Sequence, residues 1–315
     1  MIDVTLIGTS ALLPLPDRAL TAALLTVNGR SILFDCGEGT QSAARRAGVS
    51  LMKTDLIALT HYHGDHVFGL PGLLQTMGVL ERTEPLYITG PEGLADELSP
   101  ILFLAGRTGY DIRLIELPEG GLALRELAAG WPSGAVLKAF QTEHTVLSRG
   151  YCFTLGRAGR FLPEKAEELE IPKELWSVLQ RGESVSTGEK TFLPKQVMGE
   201  ARKGLKFVFS GDTRACGALT EAAKDADLMI CDATYGENDQ AELAADHGHM
   251  NFAQAAECAS KAGVKELWLA HYSQMIGEPG DHLSNAAEIF ANTVCGRDGM
   301  RKTLRFGDCE PHKDA

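Results

Sequence analysis

The chain has 315 residues, 44% of them hydrophobic and 23% charged, which suits a soluble globular protein with a large buried core and excludes an extended disordered one. Thirty lysines and arginines stand against 42 aspartates and glutamates, a formal net charge of -12 that argues against holding nucleic acid through a broad basic surface. Seven cysteines, Cys36, Cys152, Cys216, Cys231, Cys258, Cys295 and Cys309, are scattered with no C-x-x-C pair, so a disulfide framework is not expected and a reducing cytoplasmic setting is.

No stretch approaches the roughly 18 apolar residues of a membrane span, and the first residues lack the basic and apolar regions of a signal peptide. Residues 2–7 read as a strand, followed by a loop through Gly8, Pro14, Pro16 and Asp17. Ala23–Val27 and Ser31–Phe34 read as two strands joined by Asn28-Gly29, a strong hairpin signal. Asp35 then lies at a strand end, where it could brace a metal-binding histidine or cap the next turn. An Ala/Arg-rich helix to about Ala47 follows.

The apolar run Leu56–Leu59 delivers Thr60-His61-Tyr62-His63-Gly64-Asp65-His66, an H-x-H-x-D-H pattern. His61 and His63, two apart on extended backbone, face one side and can share an ion. Gly64 lets the chain turn, so Asp65 and His66 lie at the start of a helical segment running to about Leu80 and can face a second ion. Imidazole with carboxylate suits zinc, or manganese and iron where oxygen ligands dominate. Unpaired buried imidazoles and carboxylates are costly, which makes mere packing a poor account of this cluster.

A strand near 86–88, a turn at 90–93 and a helix come next, then strands near 112–115, 135–140 and 151–155. His144 lies just beyond one of these strands and is a candidate outside ligand. The segment at about 161–204 contains Pro163, Pro172 and Pro194, with helical stretches at 163–169 and 173–180, and reads as an insertion projecting from one domain spanning 1–315. Between residues 161 and 180 it has two lysines against five glutamates. Strand 205–210 leads to Asp212, whose two oxygens could bridge two cations, or which could cap a helix over 214–223. Strand 228–231 leads to Asp232-Ala233-Thr234; His247 and His249 precede a helix over 252–262, and strand 266–270 delivers His271. A helix near 284–291 and a strand near 302–306 end the pattern.

Strands then helices occur twice, with metal-type residues at strand ends in both halves, which implies a four-layer αβ/βα sandwich of α+β type. With Leu6-Ile7-Gly8-Thr9-Ser10-Ala11, Phe34 to Gln41, Thr60 to Leu74, Gly211-Asp212-Thr213-Arg214, His249 and His271, the chain resembles the metallo-β-lactamase superfamily and, within it, the tRNA 3′-processing endonucleases of the ribonuclease Z family. That resemblance implies two zinc ions, one on His61, His63 and His144, the other on Asp65, His66 and His271, with Asp212 bridging. It implies Asp65 as general base, His249 as an aid to the leaving oxygen, precursor tRNA as substrate, and a homodimer in which one subunit's arm serves the other's site.

Three stretches depart from the family pattern: Asp232-Ala233-Thr234 for Glu-Ala-Thr, His249-Met250-Asn251 for His-Ser-Thr, and Tyr272-Ser273-Gln274-Met275 without the usual arginine. The arm also lacks the family's Gly-Pro-rich basic stretch. Two other readings are a small-molecule phosphodiesterase on the same metal site and a catalytically silent RNA-binding protein. The filled set of seven ligand positions disfavours the second, and the arm disfavours the first.

Overall fold

The computed structural model describes residues 1–188 and 190–307; Glu189 and residues 308–315, with Cys309 among them, lie outside the described residues. Strands β1 (Ile2–Gly8), β2 (Ala22–Val27) and β3 (Arg30–Phe34) form an antiparallel meander. Its second turn is Asn28-Gly29, with both residues at positive φ of 52° and 77°, the twist that a two-residue hairpin needs. Strands β4 (Thr54–Ala58), β5 (Leu86–Thr89) and β6 (Ile112–Leu114) add in parallel.

The second half repeats this plan. Strands β7 (Leu122–Ala123), β8 (Ala135–Gln141) and β9 (Arg149–Arg157) are antiparallel, and a short hairpin of β10 (Val185–Thr187) and β11 (Lys190–Phe192) stands apart. Strand β12 (Arg202–Phe209) pairs antiparallel with β9, after which β13 (Leu228–Asp232), β14 (Leu267–Ala270) and β15 (Thr293–Cys295) are parallel. The last strand, β16 (Arg301–Leu304), crosses back to pair with β1. The two sheets therefore run β16-β1-β2-β3-β4-β5-β6 and β15-β14-β13-β12-β9-β8-β7.

Alternation along the strands builds the layers. Ile2, Val4 and Leu6 of β1, and Leu56 and Ala58 of β4, enter the core between the sheets, where Phe34 lies 5.4 Å from Phe209 and 5.6 Å from Phe207. Their neighbours Ile7, Ile57 and Leu59 face outward, under helices Thr40–Arg46, Leu70–Val79 and Leu94–Ala105. Helices Gly217–Ala223 and Phe252–Ala262 cover the second sheet in the same way. Strands buried on both faces read as near-continuous apolar runs, which is why their alternation is weak in the sequence. The expected four-layer αβ/βα sandwich is the fold.

Several bounds differ from expectation. The helix after the histidine cluster is broken into Gly64–Val67 and Leu70–Val79, because the Gly69 N–H leaves the helix to donate to the Cys36 carbonyl at 2.8 Å, an approach so close that a Cβ on Gly69 would lie 2.0 Å from the Gly37 carbonyl oxygen. The helix expected over 214–223 begins at Gly217, and the one expected to reach 291 ends at Ala287. Strands β7 and β15 and the β10–β11 hairpin carry no strong local pattern and are set by pairing with neighbouring strands, and the short helix Ala241–Asp246 is not among the expected elements. Between β9 and β12, helices Pro163–Glu168 and Lys173–Gln180 and the hairpin close around a small apolar cluster of their own, which includes Ala166, Leu179, Val185 and Val197.

Candidate metal centre

The centre forms where the carboxyl ends of β3, β4, β12, β13 and β14 meet across the sandwich. Asp35 follows β3 at a positive φ of 56°, a left-handed backbone uncommon for a residue other than glycine, and is fully buried. Its carboxylate accepts the Thr60 backbone N–H at 2.8 Å, the Thr60 hydroxyl at 2.9 Å and His66 Nδ1–H at 2.8 Å. Asp35 therefore braces the histidine cluster, and the helix that follows has Gly39 at its N-cap.

These bonds decide which ring nitrogens are left for a ligand. The Thr60 hydroxyl donates to Asp35, so it accepts from His61 Nδ1 at 3.0 Å and leaves His61 Nε2 as a lone pair. That Nε2 is 2.9 Å from His63 Nδ1, which is 3.4 Å from His144 Nε2. His144 is turned by its Nδ1–H donating to the Gly248 carbonyl at 2.8 Å. Gly248 has φ 80°, and a Cβ there would come within 2.6 Å of His144 Nδ1, so this approach requires glycine. Three imidazoles from two loops thus aim at one point.

The second point is aimed at by Asp65, His66 and His271. His271, at φ 63°, is the residue after β14; Thr234 donates its hydroxyl to Asp232 at 2.8 Å and accepts from His271 Nδ1 at 2.9 Å, leaving Nε2 free. Asp65 Oδ2 accepts the Leu12 backbone N–H at 2.8 Å and is 3.5 Å from His66 Nε2 and 3.6 Å from His271 Nε2. Asp212 lies between the two groups, its Oδ2 at 3.7 Å from His61 Nε2, 3.3 Å from His66 Nε2 and 3.2 Å from His271 Nε2. It caps no helix, since the next one starts at Gly217 with Cys216 at its N-cap.

Buried as they are, His66 Nε2, His271 Nε2 and Asp212 Oδ1 have no hydrogen-bond partner. Each unsatisfied buried polar atom costs about 1–3 kcal/mol, and these three converge with other lone pairs. Cations at the two points would satisfy them all, so the donor set fits two metal ions: imidazole and carboxylate ligands whose outer nitrogens are braced by carboxylate, hydroxyl and carbonyl groups.

His249 stands beside this centre, its ring 4.9 Å from that of His144 and 5.2 Å from that of His271. Its Nδ1–H donates to Asp232 Oδ2 at 2.7 Å. Burial lowers its basicity, but the Asp232 carboxylate more than offsets this and pushes the imidazole up to about 9. Asp232 also accepts the Thr213 and Thr234 backbone N–H groups at 3.0 and 3.1 Å, so both its oxygens are occupied and it is no ligand. His247 is turned away onto the Tyr235 hydroxyl at 2.6 Å, at the rim.

All eight candidate residues, His61, His63, Asp65, His66, His144, Asp212, His249 and His271, are thus in one place, while Asp232, Thr234 and Thr60 are the partners that sequence reasoning gave no role. The signal for them was a hydroxyl residue directly before His61 and another two beyond Asp232, which is weak without the geometry. The centre opens into a cleft of about 640 Å³ lined by Leu12, Phe68 and Tyr235 together with Asp65, His144 and His271.

A model of the metallo-β-lactamase superfamily matches residues 16–134, and one of the β-lactamase superfamily domain matches residues 194–272. The chain is 42% identical over 308 residues to ribonuclease Z of Lachnoclostridium phytofermentans, covering 97% of this chain and 99% of that one. It is 42% identical to ribonuclease Z of Agathobacter rectalis, covering 98% of this chain and 100% of that one. Its backbone superposes on the crystal structure of the short form of human tRNase Z with a TM-score of 0.67 at 26% identity, covering 96% of this chain and 100% of that one. With such identity along nearly its whole length, the chain belongs to the ribonuclease Z family of the metallo-β-lactamase superfamily.

Proposed function

We propose that the protein is a metal-dependent endoribonuclease that removes the 3′ trailer of precursor tRNA by hydrolysing one phosphodiester. The observation that carries this reading is the convergence of seven donors on two points, joined through Asp212, in a chain whose full-length relatives are ribonucleases Z. His61, His63 and His144 would hold one ion, Asp65, His66 and His271 the other, and Asp212 both; zinc suits this donor set, with manganese or iron as alternatives. Bound there, the ions would supply positive charge against the charge developing on the phosphate and make a hydrolytic water more acidic.

The chain's own residues do the rest. Burial raises the Asp65 carboxyl, but hydrogen bonds and charge from His271 and His66 outweigh it and hold the group well below the usual carboxylate range. Asp65 therefore stays ionised, oriented by the Leu12 N–H, and accepts the proton of the attacking water. As the water oxygen bonds to phosphorus and the phosphorus–oxygen bond to the leaving group breaks, His249 gives its Nε2 proton to the leaving oxygen. Asp232 stabilises the imidazolium that makes this possible and keeps the ring in place.

The insertion at about 161–204 is read as the arm that holds the tRNA body away from the cut. Over this whole range it has seven lysines and arginines against eight glutamates, less acidic than its first turns suggest. A homodimer acting in the cytoplasm completes the reading; among the described residues no helix is long and apolar enough to cross a membrane. The test is cleavage of a 3′-extended precursor tRNA beside a small phosphodiester, with zinc or manganese and a chelator control. A single metal-dependent cut after the acceptor stem is expected. Hydrolysis of the small ester alone would move the assignment to a small-molecule phosphodiesterase.

A further inference from the structure

We propose that Phe68 is the platform on which a nucleobase beside the scissile phosphate stacks, an assignment that rests on the ribonuclease reading above. Among the described residues that line the cleft there is no lysine or arginine, and three carboxylates, Glu38, Asp65 and Asp212, are present. Bound cations and the His249 imidazolium can hold the scissile phosphate, but the nucleotides that flank it meet no lysine or arginine on these walls. What the walls offer instead is apolar surface: Leu12, Leu13 and Phe68 are 69%, 45% and 68% exposed and all line the cleft. Single exposed apolar side chains occur on any protein surface, but here three share the lip of a metal centre.

Phe68 differs from the two leucines in carrying a flat ring that is seated on another residue's backbone. It closes the helix Gly64–Val67, its N–H donating to the Gly64 carbonyl at 2.9 Å, and the next N–H, of Gly69, donates to the Cys36 carbonyl at 2.8 Å. The ring rests over Gly64, where a Cβ would come within 2.3 Å of Phe68 Cε2, 2.7 Å of Cδ2 and 2.8 Å of Cζ. Gly64 thus serves two ends, the turn between His63 and Asp65 and a seat for the ring. The ring stands on the same backbone turn that presents Asp65 and His66, so a base lying on it has a fixed place relative to the phosphate. No other aromatic ring among the described residues covers it. Every base has a π-face, so such a platform holds any nucleotide at the cut without reading its identity, as an enzyme acting on many tRNAs requires.

The experiment uses the unaltered protein, Phe68→Ala and Phe68→Trp on three precursor tRNAs: one with its natural bases, one abasic directly 5′ of the cut and one abasic directly 3′ of it. Phe68→Ala is expected to lower kcat/KM on the natural substrate by about 5- to 150-fold, the range for losing one base–aromatic stack, with Phe68→Trp near the unaltered value. On one of the two abasic substrates the unaltered protein loses a similar factor and no longer differs from Phe68→Ala, which also names the stacked base. Metal content stays the same in all three proteins. Equal rates for Phe68→Ala and the unaltered protein on the natural substrate would overturn the platform, as would a loss undiminished on both abasic substrates. Failure of the unaltered protein to cut precursor tRNA would instead sink the ribonuclease reading, and the platform with it.

Discussion

Asp35 and Asp232 perform matching tasks on opposite sides of the centre. Each is a buried carboxylate at the end of a strand, each accepts a threonine N–H and a threonine hydroxyl, and each takes the Nδ1–H of a histidine, His66 in one case and His249 in the other. The difference lies in what the held ring does, since His66 offers a lone pair to the metal points and His249 offers a proton to the cleft. Asp232→Asn removes the charge that holds His249 protonated while leaving the seven metal donors in place. We expect kcat to fall about 10²- to 10⁴-fold, the usual worth of a general acid, with metal content unchanged because the amide oxygen can still accept from Thr234; loss of metal along with rate would show that the negative charge is needed to hold His271 through Thr234 and that the effect is not specific to His249. Gly248→Ala should act the other way. It pushes a methyl group against His144 at a backbone conformation that disfavours alanine, so metal affinity is expected to fall about 10- to 100-fold, read by competition with a chelator.

At the scale of elements, the first sheet contains a charge pair that is independent of the centre. Arg30 at the start of β3 donates from Nε at 2.6 Å and from Nη2 to Asp55 on β4, and Trp131 Nε1 donates to the same carboxylate at 2.8 Å. Asp55 is 2% exposed. Arg30→Met would leave that carboxylate in the core without its counter-charge, and should lower stability by about 3–5 kcal/mol in thermal or urea unfolding; the double variant Arg30→Met/Asp55→Leu should recover most of it. The segment between β9 and β12 permits a second test. Its ends are adjacent, since Arg202 is opposite Arg157 in the sheet and the Gly199 N–H donates to the Arg160 carbonyl at 2.7 Å. Because the segment closes around its own cluster, replacing residues 161–198 by a short turn should leave the sandwich folded. Cleavage of precursor tRNA is expected to weaken selectively while a small phosphodiester is spared; equal loss on both would show that the segment supports the core.

For the whole molecule, the centre is also a clamp. Its donors come from both halves of the chain, His61 to His66 from the first and His144, Asp212 and His271 from the second, so ions bound between them hold the two sheets together at this edge. A ligand bound only by the folded state stabilises by about 4 kcal/mol at a thousand times its Kd. Chelation is therefore expected to lower Tm by several degrees, restored by added zinc; an unchanged Tm would mean that the site adds nothing to stability and is empty or weak in solution.

How much of this was legible in the sequence follows from the range of the forces involved. Short spacing is a local property, so the His61–His66 run, the Asn28-Gly29 hairpin and the helix at 252–262 could be read directly, and two rounds of strands and helices pointed to the sandwich. Strand β15 and the break at Gly69 could not, because the first is defined by pairing with β14 and the second by the approach of Gly37, each a contact between distant parts of the chain. The same holds at the site. Residue chemistry alone marked the ligands as candidates, but which nitrogen each histidine turns inward, the pairing of Asp232 with His249, and the exposure of Phe68 on the lip depend on hydrogen bonds and packing across as many as 104 positions, from His144 to Gly248. A sequence records which groups are present and in what local order; only closure of the two sheets puts them within bonding distance and decides what each one does.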